Sequence, residues 1–354
     1  MGFKYQIRAL VYHAPAGWGE GELEEVAAKL AEGRERVERE IGIKVWSLRL
    51  TLPQAFERVD EIGETGDALV SLGNLPASHP KLEELVGSAV REGFYVGVLL
   101  DEASWSSAIR VSQLIHKLSE ESPDLATRLG VNALGEPLLT PYYPLSYSSG
   151  EGGVSAALLY PNYLRDSYQE GGLPAVKAAV REAAKVAKSA LNLAAEVLGT
   201  KALGVDLSVS PWMEESSLGL VEAVAGTRLP RPGFALGVRR VNEALEEVAR
   251  ETGAIGFNEV QLPLGEDSRL KARASEGEVT ARDLLRLSGV SLAGLDLVVV
   301  PANVNEVAGL LLDAAAYARA KGKALGVRII PVEEVEPGDG VLLSRFGEVP
   351  VIPI

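Results

Sequence analysis

The sequence contains no cysteine. That absence alone excludes disulfides, thiolate metal sites, cysteine nucleophiles and thiyl-radical chemistry. Histidine is nearly as scarce, with three in 354 residues and none in a His-x-His or Glu-x-x-His pattern, which argues against a zinc site. Methionine occurs twice, and asparagine and glutamine are few. A shortage of thermolabile residues is a signature of thermophile proteins, although drift in an Ala/Gly/Val/Leu-rich genome produces the same composition. Basic residues are outnumbered, 35 against 49 acidic ones, for a net charge of −14. Nucleic acid is therefore not an expected partner, because phosphate binding needs a concentrated basic face. A small anion held by one or two buried arginines stays open. No apolar run approaches the ~20 residues of a membrane span, and Met1 to Gln6 lacks the apolar core of a signal peptide. The expectation is a cytoplasmic protein with no membrane partner. No Gly-x-Gly-x-x-Gly follows a strand and no Walker-type Gly-Lys-Ser/Thr occurs, so there is no nucleotide motif.

What is present reads as a large α/β domain, 47% hydrophobic and 24% charged. Leu295 to Pro331 shows the organising pattern. An apolar run, Leu295 to Val300, is closed by Pro301. A helical pattern follows from Val307 to Lys321 with Gly322 after it, and then a second apolar run, Ala324 to Ile330, closed by Pro331. Continuous apolar runs predict a parallel pair covered on both faces. The proline ending recurs at Pro15, Pro53, Pro161, Pro211 and Pro263. Ligands of parallel α/β folds sit at the carboxyl ends of strands, so these endings predict one common rim around a site.

Along the chain, strands are expected at Gln6 to Tyr12, Ile43 to Leu52, Ala68 to Leu72, Phe94 to Leu100, Ala157 to Tyr160, Ala202 to Ser210 and Gly256 to Leu262. Helices are expected at Leu23 to Glu40, 54–62, Pro80 to Glu92, Ile109 to Glu121, Pro174 to Leu198, Ser217 to Ala225, Arg239 to Glu251 and Glu278 to Ser288. The stretch Leu138 to Gly153 is rich in Pro, Tyr, Ser and Gly; it reads as a special loop that either carries function or packs on its own tyrosines at the surface. Residues 341–353 read as a hairpin. About ten strands exceed the eight of a TIM barrel. No flexible linker interrupts residues 1–354, so a single barrel domain, assembled as a homo-oligomer, is expected.

Several stretches together resemble domain-of-unknown-function family 711. They are Val205 to Pro211, Gly256 to Asp267, Gly294 to Pro301 and Val327 to Val332, with Arg49 to Pro53 and Pro141 to Pro144 adding to them. The resemblance implies a fold similar to the ten-stranded α/β barrel of pyruvate formate-lyase-like glycyl-radical enzymes, with helices outside. It implies no reaction, and radical chemistry would need the cysteine this chain lacks. Bacterial members tend to carry Gly-Asp-Thr where this chain has Ala302-Asn303-Val304, and a Gly-Gly stretch where it has Ser344 to Gly347. Asn303 thereby becomes a candidate ligand contact.

The remaining candidates follow from charge in apolar surroundings. Asp206 and Glu259 lie within strands that read as buried, where a carboxylate must be paired, hydrogen-bonded or metal-bound. Glu266 and Asp267 follow a strand end; they are either solvated loop acids or holders of a divalent metal or substrate hydroxyl. Arg49 and Arg328 interrupt apolar strands as carboxylate partners of Asp206 or Glu259, or as an anion clamp. His13, near Trp18, is a candidate general base or a plain loop histidine. Tyr142, Tyr143 and Trp212 would wall a pocket or cap the barrel end. The expected activity is acid/base or metal-assisted chemistry on a small polar or anionic metabolite. The alternative is a ligand-binding or assembly protein that keeps an enzyme-like barrel without turnover.

Overall fold

The structure, a computed structural model, describes residues 3–19, 21–290 and 292–354; Met1 and Gly2 of the N-terminal reading lie outside the described residues. The first half of the chain supplies strands β1 (Gln6–Pro15), β2 (Leu48–Thr51), β3 (Leu69–Pro76), β4 (Tyr95–Leu99) and β5 (Leu129–Asn132). Helices α1 (Glu22–Glu40), α2 (Leu82–Arg91), α3 (Trp105–Glu121) and the single turn α4 (Pro123–Ala126) connect them. The second half runs β6 (Glu151–Leu159), α5 (Pro161–Leu198), β7 (Ala202–Asp206), α6 (Ser217–Ala225), α7 (Phe234–Thr252), α8 (Ser268–Ser275) and α9 (Ala281–Ser288). It continues with β8 (Gly294–Pro301), α10 (Val304–Lys321) and β9 (Gly326–Val332), and the hairpin β10 (Gly340–Leu343) and β11 (Gly347–Pro350) follows. Among the described residues, no helix is long and apolar enough to cross a membrane.

Among the described residues, nine strands form one mixed sheet in the order β7-β6-β1-β2-β3-β4-β5-β9-β8. Neighbours are parallel within each half. The two junctions between halves, β1 with β6 and β5 with β9, are antiparallel. This corrects the expectation of a common proline rim. The carboxyl ends of β1 to β5, with Pro15 and Pro53, lie at one end of the sheet. Those of β6 to β9, with Pro161, Pro211, Pro301 and Pro331, lie at the other. A proline marks where a strand stops, but its direction relative to a strand two hundred residues away is a tertiary fact.

The sheet edges approach one another through Val260, which makes parallel bridges to Val209 beyond β7 and to Leu292 just before β8. Gln261 N donates to Val209 O (2.9 Å), and Ala293 N donates to Val260 O (3.0 Å). The expected strand from Gly256 to Leu262 is thus reduced to this bridge. Gly256 (φ 82°) and Asn258 (φ 52°) adopt left-handed backbone, and the N–H groups of Phe257 and Asn258 point to the Asp206 carboxylate instead of a ladder. The expected helix over 54–62 likewise shrinks to a 3-10 turn, Val59–Glu61. Gln54 has φ 47°, and Ala55 N bonds to Leu72 O, so the chain leaves β2 beside β3 rather than entering a helix.

The core lies between the sheet and the helices. Leu10, Tyr12 and Ala14 of β1 join the helix-side apolar cluster, whereas Ala9 and Val11 join a second cluster with Tyr142, Leu145 and Phe257. The alternation is that of a strand buried on both faces. The Pro/Tyr/Ser-rich stretch after β5 therefore does not lie on the surface. Thr140, Ser146 and Ser148 are buried because each finds partners: Thr140 on Asp206, Ser146 on Thr140 O and Thr51, Ser148 on Ala14 O. Glycines on the facing strands make room for it. A Cβ at Gly130 would meet Leu145 at 3.1 Å, and one at Gly326 would meet it at 2.9 Å.

Candidate functional site

A cavity of about 80 Å³ opens where β1 to β5 begin and the β7 side of the sheet ends. Arg8, Arg49, Glu266, Asp296, Arg328 and Arg345 supply its charged lining. Four guanidinium groups face two carboxylates, a surplus of two positive charges in a chain whose net charge is −14. Two of these residues reach the cavity because their strands are irregular. The register of β1 slips between Ile7 and Ala9, which turns Arg8 to the same side as Ala9. The register of β8 slips between Leu295 and Val298, and Leu297 sits there at φ 50°. Bulges commonly re-aim a side chain next to a site, and a left-handed leucine is strained.

The charges form a chain. Glu266 accepts from Arg8 Nη2 (2.6 Å) and from Arg328 Nη2 (3.2 Å). Arg328 also grips Asp296, through Nε (2.7 Å) and Nη2 (3.0 Å). Burial by itself would raise the Glu266 pKa, but Arg8 and Arg328 hold it below the usual carboxylate range. Burial raises Asp296, against the pull of Arg328 and with a further push from the Glu266 charge. Arg49, 6% exposed, has no carboxylate within 4 Å among the described residues. It donates from Nε to Ser47 Oγ (3.2 Å) and from Nη1 to Pro141 O (3.0 Å), and its guanidinium lies 5.0 Å from the Tyr143 ring. Burial and then the neighbouring Arg8 lower its pKa to about 10.

Aromatic rings complete the walls. The Trp46 and Trp212 ring centroids are 4.5 Å apart, and Arg8 lies over both rings, at 5.4 and 5.7 Å. Tyr142 donates to Ser208 O (3.4 Å) and Tyr143 to Leu50 O (2.5 Å), so both hydroxyls serve to seat the rings. Phe346 and Arg345 come from the hairpin turn. Arg345 reaches Tyr95 Oη (2.8 Å), and Lys271 holds Phe346 O (2.5 Å).

The family model described as "Uncharacterised ACR (DUF711)" matches residues 101–344, more than two thirds of the chain. The chain belongs to the DUF711 family. A UPF0210 protein from Pyrobaculum arsenaticum is 25% identical over 379 aligned positions, which cover 93% of this chain and 83% of that protein. A UPF0210 protein from Methanopyrus kandleri is 35% identical over 161 positions, covering 43% of this chain and 36% of that one. Among solved structures, the anaerobic ribonucleotide reductase from Thermotoga maritima with citrate in its active site aligns over 88% of this chain and 79% of its own, at 11% identity and a TM-score of 0.42.

Of the residues singled out in this DUF711 chain, Glu266, Arg49, Arg328, Tyr142, Tyr143 and Trp212 line the cavity. The others lie elsewhere. The Asp206 carboxylate accepts from Thr140 Oγ1, Ser208 N, Ser208 Oγ, Phe257 N and Asn258 N, and so ties three segments together. Glu259 is paired with Lys321 (2.6 Å) and Lys323 (3.2 Å), not with an arginine. Asp267 caps α8 through Arg269 N and Leu270 N, and also accepts from Ser216 Oγ and Leu218 N. Asn303 is exposed and caps α10 through Asn305 N and Glu306 N. His13 is buried in β1 rather than beside a loop. Its Nδ1–H donates to Tyr147 O (2.8 Å), which leaves Nε2 to accept from Ser155 Oγ (2.8 Å), and burial lowers its pKa to about 4. Among the described residues neither Arg49 nor Arg328 pairs with Asp206 or Glu259; Arg328 pairs with Glu266 and Asp296, and Arg49 bonds to Ser47 Oγ and Pro141 O.

Sequence reasoning missed Arg8, Asp296, Trp46 and Arg345. Arg8 and Asp296 were findable, since each interrupts an apolar strand as Arg49 and Arg328 do. Arg345 carries no such signal, because only the packing of the hairpin brings it to the cavity.

Proposed function

We propose that this DUF711 protein is an enzyme acting on a small anionic metabolite by acid/base chemistry, with Asp296 as the proton-transferring group. The observation that carries the reading is that Glu266 and Asp296 share Arg328 yet have their proton affinities pushed apart. Carboxyls separated in this way divide the roles of a site, one staying ionised and the other exchanging a proton. Glu266 stays charged and positions Arg8 and Arg328. The Asp296 side chain is 30% exposed and can take or give a proton at Oδ. The surplus guanidinium charge draws an anionic ligand in and stabilises negative charge as it develops, and the tryptophan walls exclude water. Metal assistance has less support, since no three His, Asp or Glu side chains gather among the described residues. Binding without turnover is the second reading, favoured by the fact that both cavity carboxylates are held by arginines. A cytoplasmic, homo-oligomeric protein of a thermophile is the setting we propose, and the lack of cysteine and scarcity of methionine support the thermophile part.

Proton transfer can be tested without knowing the product. The protein is incubated in D₂O with a panel of small organic acids and followed by ¹H NMR. The expected result is loss of a C–H signal or appearance of a product with the wild type, abolished in Asp296→Asn. Identical traces for the two proteins across the panel would overturn the acid/base reading and leave the binding one.

A further inference from the structure

We infer that Arg49, Ser210 and the Nε–H of Arg8 form a seat for the carboxylate of a small organic acid. The inference rests on the cavity being an anion site and adds which anion it takes and which atoms hold it. It starts from donors left unused among the described residues. There, Arg49 Nη2 makes no hydrogen bond, while Nε bonds to Ser47 and Nη1 to Pro141. Arg8 uses Nη1 on Pro211 O (2.6 Å) and Nη2 on Glu266 (2.6 Å), which leaves its buried Nε–H without a partner. Ser210, 1% exposed, also has an unpartnered Oγ. All three residues line the same cavity. A buried polar atom without a partner is costly, and the two of Arg8 and Ser210, with the free Nη2 of Arg49, belong to residues that line one cavity, which calls for an acceptor bound there.

The cavity's own acceptors do not answer that call. The Glu266 and Asp296 carboxylates are engaged by arginines, so the missing partner is an acceptor-rich, negatively charged group. One feature favours a carboxylate over a phosphate: a free helix N-terminus is a ready-made phosphate site, and the helix starting beside Glu266, α8, already has Asp267 as its cap. The size also points one way. At about 80 Å³, and with each water needing roughly 10–15 Å³ by the same measure, the space suits a ligand of only a few carbons. Trp46 and Trp212 give the body of that acid an apolar, flat wall.

The test is calorimetric titration of the full chain at pH 7 with sodium pyruvate, succinate and benzoate, with inorganic phosphate and the neutral benzamide as contrasts. At least one carboxylate should bind, with benzamide and phosphate weaker than it. Arg49→Met should weaken that binding about tenfold to a hundredfold, the usual worth of a charged hydrogen bond, and Ser210→Ala should weaken it a few-fold. Arg49→Lys, which keeps the charge without the fork, should fall between wild type and Arg49→Met, and it serves with Ser210→Ala should Arg49→Met fold poorly. Asp296→Asn should bind at least as well as wild type, because it removes a negative charge from the cavity; intact binding with no turnover in any protein would sink the acid/base reading and keep the seat. The seat is refuted if no carboxylate binds up to about 10 mM, if phosphate or benzamide binds as well as the best carboxylate, or if the Arg49 and Ser210 variants bind like wild type.

Discussion

Replacing Glu266 with glutamine isolates the charge that holds the cavity together. The substitution keeps the volume and one acceptor oxygen but removes the negative charge between Arg8 and Arg328. Arg328 retains Asp296. Arg8 is left with a buried guanidinium, 3% exposed, and no acid partner. Breaking a buried pair by removing one member typically costs 3–5 kcal/mol, and the remaining amide acceptor brings the expectation to about 3 kcal/mol. With an unfolding entropy near 2.1 cal/mol/K per residue, a chain of 354 residues would then melt about 4 °C lower. The effect has a sign in pH. The folded pKa of Glu266 lies below its ordinary value, so its contribution is present above about pH 4.5 and is lost as the pH falls through the folded value. Urea unfolding of both proteins at pH 7 and near pH 3 reads both parts. Equal stability at pH 7, or a difference that grows on acidification, would refute the reasoning.

The buried His13 should show an NMR titration midpoint near 4. The unfolded chain then binds a proton that the native one refuses between about pH 6.5 and 4, so the stability present above 6.5 falls on acidification by on the order of 3 kcal/mol; a midpoint near 6.5 would contradict this. Gly256→Ala would place a Cβ 2.0 Å from Asp206 Oδ2 at φ 82°, and should cost several times more than Gly199→Ala, where φ is 64° but nothing lies within 4 Å. The second change carries only the left-handed penalty of about 1–2 kcal/mol, and equal melting temperatures for the two variants would show that Asp206 does not pin that turn.

Much of the local structure was legible from residue order. Gly322 ends α10 as the left-handed stop its position predicts, with φ 65°. The apolar runs before Pro301 and Pro331 are strands buried on both faces. The site was legible in part, because a charge inside an apolar strand must be accounted for, and that rule marked Arg49 and Arg328. It also marked Asp206 and Glu259, whose charges have been met away from the cavity by backbone N–H groups and by two lysines.

The sequence by itself determined that this chain is a cysteine-free α/β protein, where most strands and helices fall, and that a few arginines and acids would be buried. Those follow from periodicity, proline and glycine chemistry and the cost of burying charge, all of which act over a few residues. Only the tertiary structure decided that the two halves run antiparallel, that the tyrosine-rich segment threads the interior, and that Arg8, Arg49, Glu266 and Asp296 share one cavity. Those facts depend on contacts between residues tens to hundreds of positions apart in the chain, and no local pattern records which buried charge will meet which.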